Sequence, residues 1–218
     1  MGLEGKVLAC FGDSTTWGDN GQGGGNDEIS WTAHMPELLG VAEARNFGVK
    51  GSRIAVKADR SDSFCERFGA YDLAADAIVL FGGVNDFCRD VPLGQMGDTG
   101  HACFYGAIGY LVRSILVDYP EAKLVCMTPA KTAGVAAKGL PAFDVPNGQG
   151  QVEADYACAM KEVCARYSVP VIDLFETSGI SPLVEEQCRL YMPDGLHYSA
   201  AGYRRLAERI AAGLKALL

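Results

Sequence analysis

The sequence has few of the residues that would hold a metal ion. Only three of its 218 residues are histidine, and its eight cysteines never form a Cys-x-x-Cys pair. No zinc-binding spacing can therefore be assembled locally, and we predict no metal and no cofactor. A chain of this length also needs no disulfide framework. Cys10 and Cys126 lie in apolar runs, where a free thiol behaves as a small buried hydrophobe, so we expect a reduced, cytoplasmic setting.

Basic residues and long apolar runs are also scarce. The 19 Lys and Arg are outnumbered by 27 Asp and Glu, and the net charge of -8 would repel nucleic acid phosphates and anionic membrane surfaces. No apolar run is long enough to cross a bilayer. The short run at 7–11 follows Glu4 and has no small-residue cleavage site, so we expect no signal peptide. These features exclude nucleic-acid and membrane-spanning classes and leave the oligomeric state open.

Short apolar runs alternate with helical stretches along the chain. With 49% hydrophobic and 21% charged residues, the composition is near the globular average, and we predict a single domain over residues 1–218. Continuous apolar runs that end on Gly or Pro are typical of buried parallel strands. The predicted strands are 6–11, 44–47, 77–81, 123–128 and 170–175, and the predicted helices are 31–39, 101–119, 152–167 and one from Ser199. This alternation predicts an α/β fold with a parallel sheet covered on both faces.

Candidate functional residues directly follow three of the predicted strands. In open parallel sheets the binding crevice lies outside the carboxyl ends of the strands. Gly12-Asp13-Ser14 follows the first strand, Gly51 lies just beyond the second, and Gly83-x-Asn85-Asp86 follows the third. Each of these alone is typical of an ordinary turn. Their shared position at one sheet edge favours a functional interpretation.

A possible acid–base pair precedes the last predicted helix. Asp194 and His197 are three residues apart, and in a turn this spacing brings the carboxylate to one imidazole nitrogen. The other nitrogen is then free to act as a base. A lone histidine is more often structural than catalytic, but the paired aspartate shifts the balance towards function.

Taken together, these four segments resemble the SGNH hydrolase family, also called GDSL esterases and lipases, along nearly the full length of the chain. The matching segments are Gly12-Asp13-Ser14, Gly51, Gly83-x-Asn85-Asp86 and Asp194-x-x-His197. Thr15 stands where the family motif has leucine, a change that concerns packing beside the nucleophile rather than the chemistry. The resemblance implies a flavodoxin-like three-layer α/β/α sandwich of about five parallel strands.

The resemblance also assigns roles to these residues. Ser14 would attack an acyl carbonyl, His197 would take and return the proton, and Asp194 would orient the imidazole. The backbone N–H groups of Ser14 and Gly51 and the side-chain amide of Asn85 would form the oxyanion hole. The implied partner is a small-molecule carboxylic ester with a short or medium acyl chain, and an acetylated carbohydrate is one candidate.

Two alternative functions stay open from the sequence. The same triad would serve an acyltransferase or a thioesterase, because an acyl-enzyme does not dictate which nucleophile resolves it. A non-catalytic carbohydrate-binding module would keep the fold but would be expected to lack the nucleophile, the base or an oxyanion donor. All three are present here.

Several other residues near these motifs are predicted to be structural. We expect Asp13 and Asp86 to fix loop backbone through hydrogen bonds, and His34 and His101 to be structural or surface residues. Aromatic residues beside the proposed nucleophile and base, Trp17 and Tyr198, are equally compatible with a substrate wall and with packing. Four basic residues could form a rim that binds an anionic substrate, but a solvated surface is the favoured interpretation. They are Lys50, Arg53, Lys57 and Arg60. The loops 18–27 and 131–150 are candidate substrate walls, and 131–150 is also a candidate lid.

Overall fold

Five parallel strands form the centre of the protein. The structure is a computed structural model that describes residues 2–218. The strands are β1 (Val7–Gly12), β2 (Glu43–Gly48), β3 (Ala77–Phe81), β4 (Lys123–Met127) and β5 (Val171–Ile172). They lie in the order β2-β1-β3-β4-β5, which is the flavodoxin-like arrangement. The predicted α/β sandwich with five parallel strands is thereby confirmed.

Helices cover both faces of this sheet. They are α1 (Ser14–Trp17), α2 (Met35–Leu39), α3 (Phe64–Arg67), α4 (Val84–Cys88), α5 (Phe104–Asp118), α6 (Glu153–Arg166), α7 (Leu174–Thr177), α8 (Glu185–Tyr191) and α9 (Ala200–Leu217). Ser199 caps α9 as predicted, since its hydroxyl accepts a hydrogen bond from the Gly202 N–H at 3.1 Å. No helix among residues 2–218 has the length and apolar character needed to cross a membrane.

Alternate residues of the central strands pack into two separate hydrophobic cores. In β3, Ile78 and Leu80 face the core shared with α3, α5 and α6. Val79 and Phe81 face the core shared with α2 and α9. All four side chains are buried, because a parallel strand with helices on both sides has no solvent-facing side. This double burial explains the continuous apolar sequence of β3.

The carboxyl ends of three strands lie level with one another at one edge of the sheet. Gly12 at the end of β1 pairs with Gly48 of β2 and with Phe81 of β3. The segments that follow these strands therefore start side by side. This register brings the motifs after β1, β2 and β3 into one region.

The fifth strand is much shorter than the predicted 170–175. It covers only Val171–Ile172, and Asp173 instead caps α7 by accepting a hydrogen bond from the Glu176 N–H at 3.1 Å. The apolar residues Leu174 and Phe175 thus belong to a short helix. A cap of this kind competes with strand continuation, because the aspartate side chain satisfies a backbone donor at a helix start.

Candidate active site

The proposed nucleophile begins a short helix at the end of β1. Asp13 is the N-cap of α1, and its Oδ1 accepts a hydrogen bond from the Thr15 N–H at 2.9 Å. Ser14 is the first residue of this helix and is 4% exposed. The cap therefore fixes the turn that carries Ser14 to the edge of the sheet.

Ser14, His197 and Asp194 form a continuous chain of hydrogen bonds. His197 Nε2 lies 3.0 Å from Ser14 Oγ, and His197 Nδ1 lies 2.8 Å from Asp194 Oδ2. The other carboxylate oxygen of Asp194 accepts the backbone N–H groups of Leu196 and His197 at 3.0 and 2.7 Å. One carboxylate thus fixes both the turn and the imidazole ring.

The electrostatics of this chain set the roles of the two ring nitrogens. Burial raises the pKa of Asp194, but hydrogen bonds from the His197 ring and backbone, and the charge of that ring, outweigh burial and hold the pKa well below its usual range. An ionised carboxylate only accepts hydrogen bonds, so Nδ1 must carry a proton. When the ring is neutral, Nε2 has a lone pair that can accept a hydrogen bond from the Ser14 hydroxyl.

Two further residues predicted for the site are linked to the nucleophile turn through Asp13 and Ser52. Asn85 belongs to α4, and its side-chain Nδ2 donates to Asp13 Oδ2 at 3.2 Å and to the Ser52 carbonyl at 3.1 Å. Gly51 precedes Ser52 and has a φ of +73°, where a Cβ would also lie 2.6 Å from Arg60 Nη1. The positive φ strains any residue other than glycine here, whereas Arg60 ends in a flexible side chain that could move away from a Cβ.

Asp86 holds the Gly51 loop against α4. Its two carboxylate oxygens accept the backbone N–H groups of Ile54 and Ala55 at 2.8 and 2.9 Å. Burial raises the pKa of Asp86 to about 7, although these two hydrogen bonds lower it. Asp86 therefore hydrogen-bonds loop backbone as predicted, whereas Asp13 bonds the first turn of α1.

Arg67 is a residue of the site region that sequence reasoning missed. Its buried guanidinium donates to the Gly12 carbonyl at 2.5 Å, to the Phe47 carbonyl at 2.9 Å and to Ser52 Oγ at 3.2 Å. It thereby joins the ends of β1 and β2 to the Gly51 loop. No local pattern marks this arginine, because all three acceptors are distant in sequence.

Some of the residues assigned to a solvated face or a wall are placed otherwise. Arg53 is 3% exposed and is paired with Asp59, with one N···O distance of 2.5 Å. The prediction of a solvated position was therefore wrong for Arg53. Its guanidinium is buried, and the ion pair with Asp59 neutralises its charge. Tyr198 is buried against Tyr203 with ring centroids 5.5 Å apart, so it packs in the core.

The remaining cations of that group are more exposed, and each has a partner. Lys50 pairs with Asp19, Arg60 with Asp62, and Lys57 donates to the Arg89 carbonyl. Trp17 is half-buried and lies 4.6 Å from the Lys50 ammonium, measured to the ring centroid. His101 is exposed and packs against Tyr110 with tilted rings whose centroids are 4.1 Å apart, and His34 is half-buried.

The loop 131–150 contacts the turn that carries His197. The Ala133 N–H and the Thr132 hydroxyl both donate to the Gly195 carbonyl, at 2.7 and 3.0 Å. The Thr132 N–H donates in turn to the buried Glu153 carboxyl at 3.0 Å. This end of the loop is thus a fixed neighbour of the Asp194–His197 turn.

Among residues 2–218, no group of three His, Cys, Asp or Glu side chains could hold a metal ion.

The fold and the hydrogen-bonded Ser, His and Asp side chains are the arrangement that serine hydrolases use. A family model described as the GDSL-like lipase/acylhydrolase family matches residues 10–205. The chain belongs to this family, and the family supports an ester-hydrolysing enzyme. The resemblance to GDSL esterases and lipases is thereby confirmed.

Solved structures share the fold over nearly the whole chain. One is 61% identical, with a TM-score of 0.97, and the match covers 100% of this chain and 99% of that one. A protein from Lactobacillus plantarum is 28% identical, with a TM-score of 0.83 and 99% of each chain covered. A carbohydrate acetylesterase from Sinorhizobium meliloti is 19% identical, with a TM-score of 0.69, covering 98% of this chain and 100% of that one. Among curated proteins nothing matches.

Proposed function

We propose that the protein is a serine esterase that hydrolyses carboxylic esters through an acyl-enzyme on Ser14. The observation that carries this proposal is the hydrogen-bonded chain from Ser14 Oγ to His197 Nε2 at 3.0 Å and from His197 Nδ1 to Asp194 at 2.8 Å. A serine hydroxyl is a weak nucleophile without an adjacent base, and this geometry supplies one. Family membership supports ester bonds as the target.

The proposed reaction has two steps. Ser14 Oγ attacks the carbonyl carbon of the ester while its proton passes to His197 Nε2. The ionised Asp194 then stabilises the imidazolium. When the tetrahedral intermediate collapses, the C–O bond to the alcohol breaks and Nε2–H gives its proton to the departing oxygen. Water, activated by His197 in the same way, then hydrolyses the acyl-enzyme and restores Ser14.

The proposed oxyanion hole consists of the Ser14 and Gly51 N–H groups and the Asn85 amide. Both protons of this amide already have acceptors within the protein, at 3.1 and 3.2 Å. These distances are longer than the usual value of about 2.9–3.0 Å for an N–H···O hydrogen bond. We expect the developing oxyanion to replace the neutral Ser52 carbonyl, because a charged acceptor forms a stronger hydrogen bond than a neutral one.

The acyl group that we propose is short, with acetyl as the first candidate. The S. meliloti relative is named as a carbohydrate acetylesterase, and acetylated sugars are therefore among the substrates to test.

A cytoplasmic location remains part of the proposal, in keeping with eight free cysteines.

A covalent label tests the serine chemistry. The wild-type protein is incubated with a fluorophosphonate probe and its intact mass is measured, beside Ser14→Ala and the matched control Ser114→Ala on α5. We expect one adduct on the wild type and on Ser114→Ala and none on Ser14→Ala. No adduct on the wild type, or an adduct that survives Ser14→Ala, would overturn the proposal and favour a non-catalytic module.

A substrate panel tests the ester and the acyl group. We expect kcat/KM to be highest for p-nitrophenyl acetate and to fall for the butyrate and octanoate esters, with acetylated sugars assayed in parallel by acetate release. A preference for octanoate would contradict the short acyl group. Faster turnover of a thioester, or transfer of the acetyl group to an added alcohol in place of water, would instead identify a thioesterase or an acyltransferase.

A further inference from the structure

A second carboxylate faces the proposed base from the side opposite Asp194. Asp19 Oδ2 lies 3.8 Å from His197 Nε2, the nitrogen that also contacts Ser14 Oγ. Asp194, by contrast, contacts Nδ1. The imidazole therefore lies between two carboxylates, and only one of them belongs to the proposed triad.

The position of Asp19 is fixed by several independent contacts. Its Oδ1 accepts the Gly21 N–H at 2.9 Å, and its backbone carbonyl accepts the Tyr203 hydroxyl at 2.7 Å. Its backbone N–H donates to the Ser14 carbonyl at 3.0 Å. The segment also packs closely on the triad, since a Cβ on Gly21 would lie 2.4 Å from Asp194 Cγ. Asp19 is thus held in place by the nucleophile helix, by α9 and by its own turn.

Lys50 is the counter-ion of this carboxylate. Its ammonium lies 2.7 Å from Asp19 Oδ2 and 4.6 Å from the centroid of the Trp17 ring, and its side chain is 43% exposed. Burial raises the pKa of Asp19, but the hydrogen bond from Lys50 and the Gly21 N–H outweigh burial and lower it overall. Asp19 is therefore negatively charged at neutral pH. Because Lys50 is partly in water, it offsets only part of that charge.

The charge of Asp19 matters most after Ser14 has given up its proton. In the resting site, Nε2 of a neutral ring accepts a hydrogen bond from the Ser14 hydroxyl. A neutral ring is stabilised little by a nearby anion. Once Nε2 carries the proton, the ring is a cation and a carboxylate at 3.8 Å attracts it. An interaction that strengthens only as charge develops lowers the barrier instead of merely binding substrate.

We propose that Asp19 is a positioning residue that acts through His197 by stabilising the imidazolium on its Nε2 side, with Lys50 limiting the strength of this effect. The inference rests on the proposed function, because it requires His197 to be the base. Other charges facing the ring are Asp194, with Lys138 at 3.8 Å from its Oδ2, and Asp13, whose carboxylate also interacts with the ring charge.

The proposal predicts opposite pH shifts for two single variants. When kcat/KM is plotted against pH, the midpoint of its rise should lie about one pH unit lower in Asp19→Asn, because the anion is removed. The same variant should have a kcat that is about tenfold lower. Removing the cation in Lys50→Met, which keeps an apolar side chain over Trp17, should move the midpoint up by roughly half a pH unit. A merely structural defect would not shift the two variants in opposite directions.

The experiment measures kcat/KM for p-nitrophenyl acetate, a neutral ester, between about pH 5 and about pH 9, with thermal melting as the test of folding. Asp62→Asn serves as a matched control, because it breaks the neighbouring Arg60 ion pair without touching His197, and it should leave the midpoint unchanged. If Asp19→Asn folds poorly, Asp19→Ser takes its place, because the opposite directions of the two shifts decide the question.

The outcomes separate this inference from the proposed function. Labelling of Ser14 by the fluorophosphonate probe with no shift in either variant, or with shifts in the same direction, would overturn the role of Asp19 and leave the esterase proposal standing. Failure of the wild type to be labelled would overturn the esterase proposal first, and the role of Asp19 with it.

Discussion

The two halves of the candidate site are held in place in different ways. The oxyanion half, with Gly51 and Asn85, is held by the carboxylate of Asp86 and the guanidinium of Arg67, which are both buried and hydrogen-bonded to backbone. The base half, with the Asp194–His197 turn, instead contacts the loop 131–150, the partly exposed Lys138, and Asp19, which is itself paired with the partly exposed Lys50.

This difference has a physical consequence for the two halves. Buried polar networks with every partner present fix one geometry, and they are costly to break because an unpaired group loses its hydration as well. Ion pairs with exposed lysines contribute little to stability and are weakened by salt. We therefore expect changes in the residues that hold the oxyanion half, Asp86 and Arg67, to affect folding strongly, and changes around the base to act mainly on charge and pH response.

The sharpest test of this comparison uses two neighbouring residues of α4. In Asp86→Ala, the Ile54 and Ala55 N–H groups would be buried without acceptors, at about 1–3 kcal/mol each. We expect the free energy of unfolding to fall by roughly 2–6 kcal/mol, measured by urea denaturation. The exposed variant Glu43→Ala should change it by less than about 1 kcal/mol. Equal effects of both variants would contradict the structural role of Asp86.

The matched variant Asn85→Ala should show the opposite pattern. Loss of one oxyanion donor typically lowers kcat by roughly 10²–10³, while the backbone donors held by Asp86 stay satisfied. We therefore expect kcat for p-nitrophenyl acetate to fall by about this factor with a smaller loss of stability than in Asp86→Ala. Turnover near the wild-type value would remove Asn85 from the proposed mechanism.

A buried carboxyl behind the base half gives the next prediction, on stability against pH. Glu153 accepts the Thr132 N–H with Oε2, while Oε1 has no partner among residues 2–218. Burial raises its pKa from 4.5 to about 8. The folded state therefore keeps a proton that the unfolded chain releases, so this group's stability contribution is complete below about pH 4.5 and is lost as the pH rises towards about 8.

The variant Glu153→Gln removes this titration. Between about pH 5 and about pH 8, the free energy of unfolding of the wild type should fall relative to the variant by up to about 1.4 kcal/mol per pH unit. Urea denaturation at several pH values measures this difference. Asp13 and Asp86 also titrate, but they do so in both proteins, so their contributions cancel. Glu162→Gln on the same helix is the control, because it replaces an exposed carboxylate and leaves an amide oxygen to accept the Tyr105 hydroxyl. Parallel stability curves for wild type and Glu153→Gln would contradict the raised pKa.

How much of the site was predictable depended on how far apart in sequence the contacting residues lie. Asp194 and His197 are within one turn, so their spacing alone indicated the hydrogen bond. Ser14 and His197 are 183 residues apart, and their proximity could be expected only from the resemblance and from the rule that strand ends share an edge. The contacts of Arg67 and Asp19 are set by the packing of whole segments, which no local pattern records.

The secondary structure was predictable where hydrophobic runs were long. It was less predictable where a capping residue decides whether a helix begins. The apolar run of β3 was identified with its observed bounds, 77–81. The short helix α3 was not predicted, although Ser63 and Glu66 have the spacing of a capping box and form one. The strand β5 is shorter than predicted, because Asp173 caps α7 directly after it. Hydrophobicity alone does not distinguish the residues of this cap and helix from those of a strand.

The smallest expected effect concerns Lys138, which lies 3.8 Å from Asp194 Oδ2 with a side chain that is 52% exposed. Because solvent and salt screen such a pair, Lys138→Ala should change kcat/KM for p-nitrophenyl acetate by less than about threefold at low salt, and the difference should vanish near 0.5 M salt, where the Debye length is only about 4 Å. The measurement is kcat/KM across a salt series for both proteins. A change of about tenfold that persists at high salt would show that the base half depends on a fixed cation in the way that the oxyanion half depends on Arg67.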